Sequence, residues 1–152
     1  MPENVLVVVG LGNEQCGDDG LGAAAIRLLA SRYDAPAGVR VVDAAALAPD
    51  ALPDLGEVEA LVVDAVSSDC PPGAFVRLAG DEVASLLRER LPGRTPRRTV
   101  VLGLVPATRE PGDPRSRAVE AGLAGLVCRI VLEARLLGHH FTRRRDCVAA
   151  AS

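Results

Sequence analysis

An uninterrupted apolar run, Val5-Leu-Val-Val-Val9, leads directly into Gly10-Leu-Gly-Asn-Glu-Gln-Cys-Gly-Asp-Asp-Gly-Leu-Gly22, a stretch with five glycines in thirteen residues. A short β-branched run without polar alternation fits a strand covered on both faces, as in a parallel sheet. Glycines packed just behind it mark a loop that needs positive φ or close backbone approach. Beyond the loop, Leu21, Ala25, Ile26, Leu29 and Ala30 fall on one face of a helix. Strand, glycine loop and helix in succession open an α/β sheet, and such sheets bind ligands where their strands end.

The rest of the chain repeats the alternation. Val39–Val42, Ala60–Val63 and Val100–Val105 read as further buried strands, Pro106 stopping the last, and the half-polar Phe75–Leu78 reads as an edge strand. Val83, Leu86, Leu87 and Leu91 mark a short helix that Asp81 would cap. In the final helix Val119, Leu123, Leu126, Val127, Ile130, Val131 and Ala134 recur at helical spacing, with Asp113 as expected N-cap, Pro114 at the first turn and Gly138 at the end. Pro92–Pro96, with Arg94, Arg97 and Arg98 beside it, reads as a loop. The expected fold class is therefore α/β: three layers, a mostly parallel twisted sheet of about five strands, and helices on both faces. At 152 residues there is room for one core. Residues 1–138 are expected to form that single α/β domain, and residues 139–152, with Arg143, Arg144 and Arg145, a basic flexible tail.

Composition removes several function classes. With 2% aromatic residues and a net charge of −3, the chain lacks both stacking platforms and a basic footprint, so no nucleic-acid partner is expected. No apolar run is long enough to span a membrane. Cys16, Cys70, Cys128 and Cys147 are far apart and follow no zinc-site spacing. They read as reduced thiols of a cytoplasmic protein.

Three readings of the glycine block compete. In the simplest, Asp18 or Asp19 only caps the following helix. A dinucleotide loop would need a third glycine where Gln15 stands, would use Asp43 for the ribose, and would place phosphate against Asp18 and Asp19 at a helix N-terminus. That charge arrangement is repulsive. In the third, Asp19 and Asp64, the latter closing the strand Val62-Val-Asp64, converge above the sheet, where two carboxylates need a shared proton, a cation or a basic group.

Gly10, Gly12, Asn13, Asp18, Asp19, Gly20 and Gly22 together form a block that resembles the N-terminal signature of the hydrogenase maturation proteases. The similarity extends over roughly residues 4–137 through Asp43, Asp64-Ala65, the Pro71–Gly73 turn, Gly103-Leu-Val-Pro106 and the long last helix. It implies an endopeptidase that removes a C-terminal extension from the large-subunit precursor of a nickel–iron hydrogenase. It also implies that nickel already inserted in that substrate is the recognition point, with another divalent cation as the alternative. By the same resemblance Asp19 and Asp64 are the catalytic and metal-contacting acids, and Gly12, Asn13, Asp18 and Gly20 form the substrate loop.

The resemblance implies a third contact, a His shortly after the fourth strand. Here Leu78–Leu87 contains none, and Asp81 or Glu82 is the candidate replacement. Nickel(II) favours imidazole in a mixed site, whereas carboxylates alone favour harder cations. His139 and His140, the chain's two imidazoles, follow the last helix and read as solvated or capping. Three functions are thus carried forward: a maturation endopeptidase, a noncatalytic relative that binds a hydrogenase subunit or precursor without cutting it, and a nucleotide-binding α/β domain.

Overall fold

The computed structural model describes residues 5–44, 58–90 and 98–145. Strand β1 (Leu6–Gly10) is followed by a 3-10 turn (Gly17–Gly20) that runs straight into helix α1 (Leu21–Arg32). Then come β2 (Tyr33–Asp34), β3 (Val39–Asp43), β4 (Glu59–Ala65), β5 (Phe75–Ala79) and α2 (Asp81–Arg90). The chain ends in β6 (Arg98–Leu104), α3 (Arg117–Leu136) and β7 (Thr142–Arg143).

The main sheet has five strands in the order β3-β1-β4-β6-β5. All neighbours pair in parallel except β5, which runs antiparallel to β6 at the edge. This is the expected α/β architecture, with Phe75–Leu78 on the edge as its half-polar composition implied. Alternation along each strand builds two cores. Leu6, Val8, Leu61, Val63, Leu102 and Leu104 face α1 and α3, while Val7, Val9, Ala60, Val62 and Val101 face Val83 and Leu86 of α2. Both faces are covered, so successive residues of β1 are all apolar. On α3, Val119, Leu126, Val127, Ile130 and Ala134 are at most 1% exposed. Each of its larger aliphatic side chains contributes about 1.5–3 kcal/mol by leaving water.

Two expected caps are corrected. The N-cap of α3 is Ser116, whose hydroxyl accepts from Val119 N at 3.3 Å; Asp113 instead accepts from Thr108 Oγ1 at 2.7 Å, inside the preceding turn. The reason is local: the Asp113 carboxylate is taken up by Thr108 Oγ1 in a turn that Asp113 N closes onto Glu110 O at 3.2 Å, and the helix starts only at Arg117, so its cap falls at Ser116. Asp81 is the first residue of α2 rather than its cap, because Gly80 at φ +65° makes the turn into the helix. Gly138 does end α3, at φ +91°, with Gly138 N donating to Arg135 O and His139 N to Ala134 O, each at 2.9 Å.

Of the basic tail, Thr142–Arg143 pairs antiparallel with Tyr33–Asp34, Arg144 forms an ion pair with Asp34 at 3.2 Å, and the Arg143 guanidinium sits over the Tyr33 ring. Residues 146–152 and the Pro92–Pro96 loop with Arg94 and Arg97 lie outside the described residues; Arg98 begins β6 and pairs with Glu59. The edge strand is pinned to α3 by a forked Arg77–Glu133 pair and by Arg129 over the Phe75 ring at 4.7 Å.

The strand order fixes where a ligand can sit. From β1 the chain crosses to β3 on one side, and β4 lies on the other side of β1. Loops leaving the carboxyl ends of β1 and β4 therefore diverge, opening a crevice between them.

Candidate functional site

The β1 side of the crevice is the glycine loop. Its start continues the ladder, Leu11 N donating to Val63 O at 2.9 Å, before Gly12 turns the chain at φ +105°. A Cβ on Gly12 would lie 2.0 Å from Asp19 O, so only glycine lets the loop fold back on its own acid. Asn13 N then donates to Asp19 Oδ2 at 2.8 Å, and Asn13 Oδ1 accepts from Gln15 N at 2.9 Å. Gly20 precedes α1 without a side-chain cap. The loop is thus a cradle that fixes the Asp19 carboxylate.

The two adjacent acids have different surroundings. Asp18 is fully buried and accepts from Ala107 N (2.8 Å), Thr108 N (3.3 Å), Ser116 N (2.7 Å) and Ser116 Oγ (2.8 Å). Burial pushes its carboxyl up, but the bonds from Ser116, Ala107 and Thr108 outweigh it and hold the carboxyl below its ordinary value. Placed in the substrate loop by sequence, Asp18 is a strut, tying that loop to the segment that leads from β6 into α3. Asp18 N donating to Thr108 O at 2.8 Å and Gly112 N donating to Gln15 O at 2.7 Å add to the tie. An open groove of about 660 Å³ runs alongside, between Asn13–Cys16 and Pro111–Pro114.

Across the crevice Asp64 stands near the end of β4, 1% exposed, its Oδ1 accepting from Ala65 N at 2.8 Å. Its register partner is Gly103, where a Cβ would come within 2.0 Å of Asp64 O. Asp64 lines a cavity of about 360 Å³ with Ser67, Glu82, Ser85, Leu86 and Arg109. The Arg109 Nη2 group donates to Ala65 O at 3.1 Å and to Ser67 Oγ at 3.4 Å.

Asp64 and Glu82 are therefore brought to one cavity. Asp19 is not among the residues lining that cavity; it belongs to the 3-10 turn, which packs on β4, and Asp81, exposed at the start of α2, does not line it either. Among the described residues no three His, Cys, Asp or Glu side chains come together as an ion-holding group, and His139 and His140 lie past α3. The cavity offers two carboxylates, Asp64 and Glu82, and no imidazole, which fits contact with an ion that arrives carrying other ligands better than capture of a bare one. Asp43 ends β3 opposite Gly10. Cys16, Cys70 and Cys128 are free thiols, and no described helix is long and apolar enough to cross a membrane. Arg109 and Ser67 were not legible in the sequence: nothing in their local pattern distinguishes them from loop residues.

Comparison with known proteins finds relatives in sequence and in fold. The family model described as hydrogenase maturation protease, HycI, matches residues 23–92. The Hydrogenase expression/formation protein HupD of Rhodobacter capsulatus is 38% identical over 87 residues, 57% of this chain, and the match spans 41% of that protein's length. The Hydrogenase 2 maturation protease of Escherichia coli is 26% identical over 134 residues, 76% of this chain and 82% of its own. The solved structure of the hydrogenase maturating endopeptidase HybD from Escherichia coli shares the fold at a TM-score of 0.80 and 23% identity, over 93% of this chain and 99% of that one.

Proposed function

Given its similarity to hydrogenase maturation proteases, we propose that the chain belongs to that family and is an endopeptidase that removes the C-terminal extension of a nickel-loaded hydrogenase large-subunit precursor. The observation that carries this reading is the placement of Asp19 and Asp64. Asp19 lies in the loop that follows β1 and Asp64 near the end of β4, the neighbouring strand, and each carboxylate accepts from a backbone N–H group at the point where the strand order reverses. The partner is the precursor, and the nickel is the substrate's own. Asp19 and Asp64 contact that ion from the protease side, with Glu82 the nearest further carboxylate on the cavity wall. Nickel in the substrate supplies a positive charge that selects loaded precursor and draws its C-terminal segment across the crevice. The chain's residues bind and orient that segment. The reaction is hydrolysis: water oxygen adds to the scissile carbonyl carbon, the C–N bond breaks, and the leaving nitrogen takes the proton.

The reading also places the protein in the cytoplasm, in keeping with its free cysteines. Its test is incubation of the protein with nickel-loaded precursor, followed by intact-mass measurement. Release of the C-terminal peptide, and none from nickel-free precursor, is the expected result. Stable association without release would select the noncatalytic alternative, for which the missing imidazole is the argument.

A further inference from the structure

The cavity beside Asp64 is lined by side chains of both charge signs. Asp64, Glu82 and Arg109 all line it, Asp64 buried and the other two exposed. Only one edge of the guanidinium is engaged: Nη2 is held by Ala65 O and Ser67 Oγ, and among the described residues Nη1 and Nε make no hydrogen bond. Arginine's donors lie in one rigid plane, so fixing Nη2 also fixes the direction of the others. The loop bearing Arg109 is itself held, because Asp18 grips Ala107 N and Thr108 N immediately before it. A cation anchored from two sides, one residue from a buried catalytic candidate, with donors to spare, is a preorganised electrophile.

We propose that Arg109 donates from its free edge to the scissile carbonyl oxygen of the precursor and stabilises the oxyanion that forms there. This rests on the endopeptidase reading above. When the water oxygen bonds to the carbonyl carbon, the π pair moves onto oxygen. Arg109 balances that charge until the C–N bond breaks, the carbonyl re-forms and the leaving nitrogen is protonated. A donor aimed at a developing charge strengthens in the transition state, so it acts on kcat more than on binding.

The experiment compares wild-type protein, Arg109→Ala and Arg109→Lys on nickel-loaded precursor, measuring kcat, KM and, separately, precursor association. Arg109→Ala is expected to lower kcat by about 10²–10³-fold with KM within a few-fold. Arg109→Lys, which keeps the charge but not the fork, is expected to fall between, and added guanidinium salt to restore part of the Arg109→Ala rate. A kcat for Arg109→Ala within a few-fold of wild type, or a loss confined to KM, overturns the proposal while leaving the endopeptidase reading intact. A wild-type protein that associates with precursor without cleaving it overturns both.

Discussion

Asp18 and Ser116 meet through two bonds, the carboxylate accepting from the serine backbone N–H at 2.7 Å and from its hydroxyl at 2.8 Å, while the same hydroxyl oxygen caps α3. A residue of the first loop thereby sets the start of the last helix. The connection from β6 into that helix carries Arg109, so this contact bears on a residue lining the cavity as well.

Removing that acceptor leaves several buried donors unsatisfied. Asp18→Ala is expected to lower unfolding free energy by about 3 kcal/mol or more, and Asp18→Asn by about 1–3 kcal/mol, since an amide can accept from only part of the set. Urea unfolding followed by circular dichroism measures both.

The same bonds give stability a sign in pH. The folded carboxyl lies below its ordinary value of 3.8, so its contribution is complete above that value and is lost as pH falls through the folded one. Wild type should therefore lose stability relative to Asp18→Asn only on the acid limb, with the difference constant through neutral pH. Urea midpoints measured across that range test this.

Gly103→Ala would force a Cβ to within 2.0 Å of Asp64 O. The strands must separate there, at a cost of about 1–3 kcal/mol. Because the displaced residue is Asp64, processing should fall further than the loss of folded protein accounts for. Thermal melts alongside processing rates separate the two effects.

Nickel alone should have little hold on this chain. With carboxylates and no imidazole at the crevice, submillimolar nickel is expected to move Tm by about 1 °C or less. A large saturable shift, abolished by Asp64→Asn, would instead point to a resident metal site.

The scaffold was legible because its signals are dense and local. A β-branched run such as Val5–Val9 has few alternatives, and the amphipathic period of α3 survives over five turns of helix. Asp64 stands out in the sequence as a lone acid closing a buried strand, and the structure buries it against a cavity. What escaped depends on contacts far apart in sequence. Ser116 caps α3 in place of Asp113 because the Asp113 carboxylate is taken up by Thr108 in the preceding turn, and the tail pairs with Tyr33–Asp34, a strand too short to leave a pattern. The distinct surroundings of Asp18 and Asp19 come from a loop about ninety residues away. Arg109 acquires a meaning only once that loop is placed.

The most direct measurement of the central claim is intact-mass analysis of nickel-loaded large-subunit precursor incubated with wild type and with the double variant Asp19→Asn, Asp64→Asn, each confirmed as folded by its melting curve. The account predicts release of the C-terminal peptide by wild type and none by the double variant over the same interval. Undiminished processing by the folded double variant would contradict it.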